Sequence, residues 1–252
     1  METQNLISFV DVGTRYEAGP PILSNVSFNI NSGQFFFLTG KSGEGKTTLL
    51  RLIYHLHKKT TGQIKLFGKN TQNMTNDELV MLRRKMSIVF QEYSLISHLS
   101  IFDNVALPLR VRRIPEAEVL STVMKTLQWV GLEKYANTKP LSLSGGQQQK
   151  VAVARAIITR PKILLADEPT GNLDDDSATK LIDLFVRMKE EYGTAIIIAT
   201  HSTQLMNAYH FHKINVANGT VRFTNNSDFL NSGANSFADL SKKFTDIIGG
   251  IK

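Results

Sequence analysis

The sequence predicts an α/β fold whose central sheet is covered by helices on both faces. Short apolar runs, of which residues 35–38 and 195–199 are the strongest, alternate with longer amphipathic segments. This alternation is typical of doubly wound, largely parallel sheets. A glycine-rich loop at 40–45 follows one predicted strand and precedes a predicted helix. Such loops lie at the edge where α/β sheets bind their ligands.

Five strands are predicted in the first 90 residues. The predicted strands are residues 6–12, 22–30, 34–39, 64–67 and 86–90. The first two alternate apolar with polar side chains, whereas the third contains four consecutive apolar residues, the pattern of a strand buried on both faces. Apolar residues at helical spacing predict helices at 45–56 and near 76–84.

A helical insertion is predicted to interrupt the alternation at about 92–158, with a helical pattern from 101 to about 136 and a helix at 145–158. One face of its central helix is expected to carry Leu120, Val123, Met124, Leu127 and Val130. Gly131 is placed to end that helix.

After the insertion the alternation resumes. A buried strand is predicted at 162–167, an amphipathic helix at 174–190 and a last buried strand at 194–199. Beyond residue 222 the composition shifts toward Asn, Ser and Gly, with a weak apolar periodicity. We therefore divide the chain into one domain, 1–223, and a tail, 224–252, which is expected to be either an amphipathic helix or disordered.

Composition excludes several classes of protein. The 252 residues are 42% hydrophobic and 20% charged, which is ordinary for a packed domain and too apolar for disorder. The absence of cysteine excludes disulfides, a thiolate nucleophile and cysteine-based metal sites. No apolar run approaches the ~20 residues that span a bilayer. A net charge of +7 spread over the chain does not predict nucleic-acid binding.

The glycine-rich loop matches the G-x-x-x-x-G-K-[ST] pattern of phosphate-binding loops. Glycines allow successive backbone N–H groups to face a polyphosphate, and the helix that follows adds its positive end. The lysine is expected to reach the β- and γ-phosphates, and the first threonine to ligate Mg²⁺. The residues expected to bind a nucleotide here, which the family resemblance described below identifies as ATP, are Gly40, Lys41, Ser42, Gly43, Glu44, Gly45, Lys46, Thr47 and Thr48.

Two acids follow the buried strand at 162–167. Asp167 and Glu168 stand at its carboxyl end, where α/β sheets place their ligands. Asp167 suits the shell of a Mg²⁺ ion. Glu168 stands where a carboxylate can polarise the water that attacks the γ-phosphate. An apolar strand that ends in Asp-Glu is common by itself, but after a phosphate loop it predicts a site of nucleotide hydrolysis.

Residues 143–147, Leu-Ser-Gly-Gly-Gln, resemble the signature of ABC-type ATPases. Gln91 resembles the glutamine of that family's Q-loop, residues 171–174 its D-loop, His201 its switch histidine and Tyr16 the aromatic residue that stacks on adenine. The resemblance covers about residues 5–222. It implies a RecA-like P-loop core with N-terminal antiparallel strands and an inserted helical signature subdomain.

The resemblance also implies roles for these residues. Two subunits are expected to pack head to tail as a homodimer, each signature closing on the ATP of its partner through Ser144, Gly145, Gly146 and Gln147. Gln91 would ligate Mg²⁺ together with Thr47 and Asp167. His201 would hold the attacking water against Glu168, and Asp174 would communicate across the dimer. Each of Gln91, His201 and Tyr16, considered alone, has an ordinary structural explanation.

One ATPase domain without a membrane span implies a separate transmembrane subunit, the alternative being a soluble ABC protein. Residues 37–40, 82–84, 103–109 and 166–174 resemble the FtsE-type cell-division ATPases, which act with an FtsX-like membrane protein on cell-wall hydrolases. Lipoprotein-releasing (LolD-like) and MacB-type efflux ATPases share nearly all these motifs and stay open as alternatives. The resemblance implies a peripheral position on the cytoplasmic face of the bacterial inner membrane.

The membrane subunit is expected to dock on residues 92–109. Tyr93, Leu95, Ile96 and Leu99 are apolar enough to line a groove, although core packing explains them equally well. Basic residues near this segment are interpreted either as contacts to anionic lipid headgroups or as a solvated helix face. They are Arg83, Arg84, Lys85, Arg110, Arg112 and Arg113.

Overall fold

The structure, a computed structural model, describes residues 4–224. The predicted tail, apart from its first residue, lies outside the described residues. In the described part the strands are β1 (Asn5–Arg15), β2 (Pro21–Asn31), β3 (Phe35–Thr39), β4 (Thr61–Leu66), β5 (Lys69–Asn70), β6 (Met86–Val89), β7 (Ile163–Asp167), β8 (Ala195–Ala199), β9 (His212–Ala217) and β10 (Thr220–Thr224). The α-helices are α1 (Lys46–Ile53), α2 (Asn76–Arg83), α3 (Ile101–Val111), α4 (Glu116–Trp129), α5 (Gly145–Ile157), α6 (Asp175–Tyr192) and α7 (Thr203–Ala208).

The N-terminal strands form an antiparallel sheet in the order β2-β1-β4-β5. Both β1 and β2 are 11 residues long and extend beyond the predicted runs at each end. They extend because backbone pairing continues from Asn5 opposite Asn31 to Arg15 opposite Pro21, through register shifts that break the apolar–polar alternation. The predicted N-terminal antiparallel strands are therefore confirmed, with longer bounds.

The second sheet has the order β10-β9-β3-β8-β7-β6, and all its neighbours are parallel except β9 and β10. Every residue of β7 and β8 is buried, as expected for central strands that are covered on both faces. Asp167 pairs with Ala199, so β7 and β8 end side by side. This shared edge places the residues that follow each strand next to one another.

The predicted helical insertion forms a small subdomain in which α3 and α4 pack with α5 around a core of their own. That core consists of Ile101, Val105, Ala106, Leu109, Val119, Val123, Leu127, Leu132, Ala136, Leu143, Val151, Ala154 and Ile158. The segment predicted to be helical from 101 to 136 is two helices, because Arg113 adopts a positive φ of 60° and Pro115 precedes the first residue of α4.

The predicted apolar face of α4 is confirmed at Val123 and Leu127, which are buried, and wrong at Leu120 and Met124. Leu120 and Met124 are 55% and 36% exposed, whereas the buried positions are Val119, Thr122, Val123, Thr126 and Leu127. Buried threonines explain the error, because they lie on the packed face but carry no apolar signal. Thr126 satisfies its hydroxyl by donating to the carbonyl of Thr122 at 2.8 Å. Among residues 4–224, no helix has the length and apolar character needed to cross a membrane.

Candidate functional site

The glycine-rich loop leaves β3 and enters α1 through residues in left-handed conformations. Gly40 and Gly45 have φ angles of 144° and 103°. A Cβ on Gly40 would lie 2.4 Å from the carbonyl oxygen of Val216, so only glycine fits against β9 there. Gly45 precedes α1 without a side-chain cap. The first N–H groups of α1 are therefore free of a capping side chain and can bind an anion.

Lys46 and Thr47 begin α1 beside β7. The Lys46 ammonium donates to the carbonyls of Gly40 and Lys41 at 2.8 and 3.0 Å, which holds its charge inside the loop. The Thr47 hydroxyl donates to Oδ2 of Asp167 at 2.7 Å. A hydroxyl and a carboxylate in contact at the end of a buried strand supply the oxygen ligands that Mg²⁺ prefers.

Glu168 immediately follows β7 and has a φ of 49°, a conformation that few residues other than glycine adopt. Its Oε1 atom is buried without a hydrogen-bond partner and lies 3.4 Å from Nε2 of His201, which follows β8. Burial raises the pKa of Glu168, while the neighbouring His201 lowers it by a smaller amount. The carboxylate is thus held at the end of the sheet with a basic oxygen facing His201.

These residues line one cavity of about 600 Å³, within the size range of small-molecule sites. From the predicted set the cavity contains Tyr16, Ser42, Gly43, Gly45, Lys46, Thr47, Thr48, Gln91, Asp167, Glu168 and His201. Five parts of the chain meet here: the loop before α1, the ends of β6, β7 and β8, and the N-terminal sheet. The arrangement provides a polyphosphate cradle, oxygen ligands for a cation and a carboxylate that can accept a proton.

Tyr16 stands at the mouth of this cavity, 42% exposed. Its hydroxyl is 3.4 Å from the Thr48 hydroxyl, and its ring centroid is 4.3 Å from that of His57. The sequence interpretation assigned no role to His57. Its packing against Tyr16 depends on a turn after α1 that no spacing rule predicts.

The signature residues lie apart from this cavity. Ser144 is the exposed N-cap of α5: its hydroxyl accepts from the Gln147 N–H at 3.3 Å, and the Gln147 side chain accepts from the Ser144 N–H at 3.0 Å. Gly146 packs so closely that a Cβ there would lie 2.8 Å from the carbonyl oxygen of Asn172. Within one subunit the signature and the phosphate loop therefore form separate surfaces.

Asp174 also lies outside the cavity, as the N-cap of α6. Its carboxylate accepts hydrogen bonds from the Ser177 N–H at 2.8 Å and from the Ser177 hydroxyl at 2.9 Å. These bonds, the backbone one first, lower the pKa of Asp174. Its neighbour Asn172 lines the ATP-sized cavity and was not predicted as a site residue, although it belongs to the D-loop motif.

Comparison with known proteins gives three findings. Residues 23–171 match the family described as ABC transporter. The cell division ATP-binding protein FtsE of Streptococcus pneumoniae is 36% identical over 217 residues, which are 86% of this chain and 94% of that protein. Methionine import ATP-binding protein MetN 2 of Bacillus cereus is 37% identical over 204 residues, 80% of this chain but 60% of that protein.

A solved structure has the same fold. It is the dimeric, post-hydrolysis state of the ATP-binding cassette MJ0796 bound to ADP and phosphate, and it has a TM-score of 0.82 at 35% identity. The match covers 89% of this chain and 100% of that one. The fold predicted from the sequence is therefore confirmed by a cassette that holds the product nucleotide.

Proposed function

This chain belongs to the ABC transporter family as one of its ATP-hydrolysing subunits, and we propose that it serves a membrane complex of the FtsE type. In this proposal an FtsX-like transmembrane subunit transmits ATP-driven movement to cell-wall hydrolases. The similarity to FtsE, 36% identical over 94% of that protein, supports the FtsE type together with the local resemblance of residues 37–40, 82–84, 103–109 and 166–174. The match to MetN 2 has a similar identity of 37% and covers 60% of that protein.

The observation that carries the ATPase chemistry is the cavity in which the phosphate loop faces two acids and a histidine. We assign Lys46 and the N–H groups of α1 to the β- and γ-phosphates. Water attacks the γ-phosphorus, the bond to the bridging oxygen breaks, and ADP and phosphate leave. Glu168 accepts the proton of that water. His201, whose Nε2 atom lies 3.4 Å from Oε1 of Glu168, orients the water against the carboxylate.

The oxygen atoms beside the phosphate loop fit a magnesium ion. Thr47 and Asp167 present adjacent oxygens, and Gln91 lines the same cavity. One carboxylate suffices, since protein sites commonly hold Mg²⁺ through one or two carboxylates, substrate phosphates and water. When bound, the ion would neutralise charge that develops on the phosphate oxygens.

We further propose that the active species is a homodimer. Ser144 is exposed at the start of α5, apart from the phosphate loop of its own subunit. Its hydroxyl accepts from the Gln147 N–H but can still donate its own proton, so it can meet an ATP held by a second copy together with the N–H groups of the glycines that open the helix. The similarity to a dimeric cassette supports this arrangement. ATP would close the two interfaces, and hydrolysis would open them.

A groove of about 350 Å³ between the core and the helical subdomain is the docking site that we propose for the membrane subunit. Its walls come from α2, β6, α3 and α5, and its apolar part includes Ile88, Leu107 and Val111. Four arginines line it: Arg83, Arg84, Arg112 and Arg155. Within residues 4–224 none of their guanidinium groups lies within 4.0 Å of a carboxylate oxygen. The docking segment of the membrane subunit should therefore combine apolar with acidic residues.

The test is affinity purification from native membranes with the Glu168→Gln protein and Mg²⁺-ATP, followed by mass spectrometry. Glu168→Gln should keep ATP bound and the complex closed, whereas Lys46→Ala, as the control, should not bind ATP. Recovery of an FtsX-like subunit would support the proposal. Recovery of a lipoprotein-release, efflux or import subunit would overturn the cell-division assignment and leave the ATPase chemistry standing.

A further inference from the structure

Tyr93 joins three motifs that the sequence interpretation treated separately. It lies two residues after Gln91, and its hydroxyl accepts a hydrogen bond of 2.6 Å from the side-chain amide of Asn172 in the D-loop. A Cβ built on Gly145 would lie 3.1 Å from the same hydroxyl, so the oxygen rests against the signature glycine. Tyr93 therefore points inward between the loops and does not line the docking groove.

The backbone on either side of this tyrosine is held from the signature helix. Tyr93 and Ser94 both have positive φ angles, 56° and 48°, which are uncommon for residues with side chains. Their carbonyl oxygens accept from the Arg155 guanidinium at 2.9 and 2.8 Å. Burial lowers the pKa of Arg155. The helix α5 therefore contacts the loop after Gln91 in two ways: Arg155 binds the backbone of Tyr93 and Ser94, and Gly145 packs against the Tyr93 side chain.

The D-loop completes the cluster. The carbonyl oxygen of Asn172 packs against Gly146 so closely that no side chain fits between them. Asn172 thus contacts the signature through its backbone and Tyr93 through its side chain. A shift of the loop after Gln91 would displace both the D-loop and the start of α5, because close-packed contacts of this kind transmit displacement rather than absorb it.

We propose that Tyr93 is a positioning residue whose hydroxyl sets the signature and the D-loop in the geometry that receives the ATP of a partner subunit. This inference rests on the proposed ATP-driven homodimer. Tyr93 is absent from the lining of its own subunit's ATP cavity, so its effect is on dimer closure and not on nucleotide binding.

The experiment uses the full chain carrying Glu168→Gln, in which Mg²⁺-ATP should drive dimer formation that sedimentation velocity can measure. Tyr93→Phe removes one oxygen and should weaken the dimer by up to about 30-fold. Without this bond the signature and the D-loop of the free monomer relax, and dimer formation must restore their geometry in two subunits, at a cost of at most two hydrogen bonds of ordinary strength. The affinity of the monomer for ATP should change less than about twofold. Asn172→Ala should weaken the dimer similarly. The double variant should weaken the dimer no more than the more damaging of the two single substitutions, because both remove the same hydrogen bond.

Tyr209→Phe is the matched control, because the Tyr209 hydroxyl makes a hydrogen bond of the same 2.6 Å length to Asp183. Tyr209→Phe should leave the dissociation constant of the dimer unchanged. Hydrogen exchange of the amides at 145–148 in the ATP-free monomer gives a second readout and should be faster in Tyr93→Phe than in the parent or in Tyr209→Phe.

The outcomes separate the two proposals. If the Glu168→Gln parent stays monomeric with ATP, the proposed dimer is wrong and the role of Tyr93 falls with it. If the parent dimerises and Tyr93→Phe matches it in dimer constant and exchange, only the positioning role is overturned. Equal weakening by Tyr93→Phe and Tyr209→Phe would also overturn it, since the effect would then be one of general stability.

Discussion

Glu168 combines a strained backbone, a half-buried carboxylate and an unpaired oxygen, which is an expensive arrangement for an acidic residue. Burial is the largest cause of its raised pKa. A general base must be ionised, so ATPase activity should fall as the pH drops through this raised pKa. The acid limb of a kcat profile should therefore lie above the ordinary glutamate value of 4.5. A limb at or below that value would contradict the assignment.

Glu168→Gln should lower kcat by at least about 100-fold, the contribution of a positioned general base, with ATP binding retained. Because the carboxyl binds its proton more tightly in the folded state, its ionisation costs stability as the pH rises through the folded-state pKa. The variant should therefore melt at a higher temperature than the wild type at neutral pH. This gain should vanish below the pKa of the unfolded chain, which calorimetry at two pH values can measure.

For single residues, the sequence predicted a role where that role follows from local spacing, as it does for Lys46 and Thr47. Their contacts follow from one loop between a strand and a helix. The hydrogen bond from Asn172 to Tyr93 joins residues 79 positions apart and depends on how α5 packs against the loop after Gln91. Periodicity contains no information on such a contact, which is why Tyr93 was equally compatible with a groove and with the core.

At the scale of elements, only part of the basic segments near 83–85 and 110–113 shares one surface, the docking groove lined by Arg83, Arg84 and Arg112. Arg110 is paired with Asp103 at 2.7 Å and with Glu116 at 2.5 Å, so its charge is compensated. Arg112 donates to the carbonyl oxygens of Thr159 and Arg84, which places it in the docking groove. Sequence alone could not separate these cases, because the acids that neutralise Arg110 lie 7 and 6 residues away, on facing parts of α3 and α4.

Arg84→Glu should disrupt docking of the membrane subunit. The exposed Arg84 side chain lines the groove, and reversing its charge opposes an acidic docking segment. We expect at least about tenfold weaker recovery of the membrane subunit, since like charges across an interface cost several kcal/mol. Recovery relative to wild type can be measured by co-purification in detergent, with the melting temperature as a check on folding.

Lys125→Glu on α4 is the matched control, because it reverses an exposed charge outside the groove. It should leave recovery of the membrane subunit unchanged. If Arg84→Glu recovers the membrane subunit as well as Lys125→Glu does, then the groove is not the docking site, or the docking segment lacks acidic residues.

For the whole molecule, the fold class was predictable because its signals are local and repeated: strands buried on both faces, amphipathic helices and a loop that must bind phosphate. The division of the strands into two sheets is a different matter. Adjacent predicted strands β2 and β3 belong to different sheets, and β3 pairs instead with β8 and β9, more than 150 residues later. Such pairings are set by tertiary packing, which the sequence pattern does not encode.

The separation of phosphate loop and signature within one subunit makes a prediction about mixed dimers. Lys46→Ala disables the loop and Ser144→Arg the signature, so neither variant should hydrolyse ATP alone. If each site takes its two halves from different subunits, an equal mixture of the two variants forms heterodimers with one intact site. With random pairing and independent sites, the mixture should regain about a quarter of wild-type activity.

The matched control mixes wild type with a chain that carries both substitutions. If the halves come from different subunits, each heterodimer in this mixture has two broken sites, and activity should fall to about a quarter of wild type. If both halves came from one subunit, that mixture would keep about half, and the first mixture would stay inactive. Steady-state phosphate release from the two mixtures therefore distinguishes the two arrangements, because the first mixture is more active, and the control mixture less active, when each site is shared between subunits. An exposed Ser144 outside its own ATP cavity is the structural reason to expect the first result.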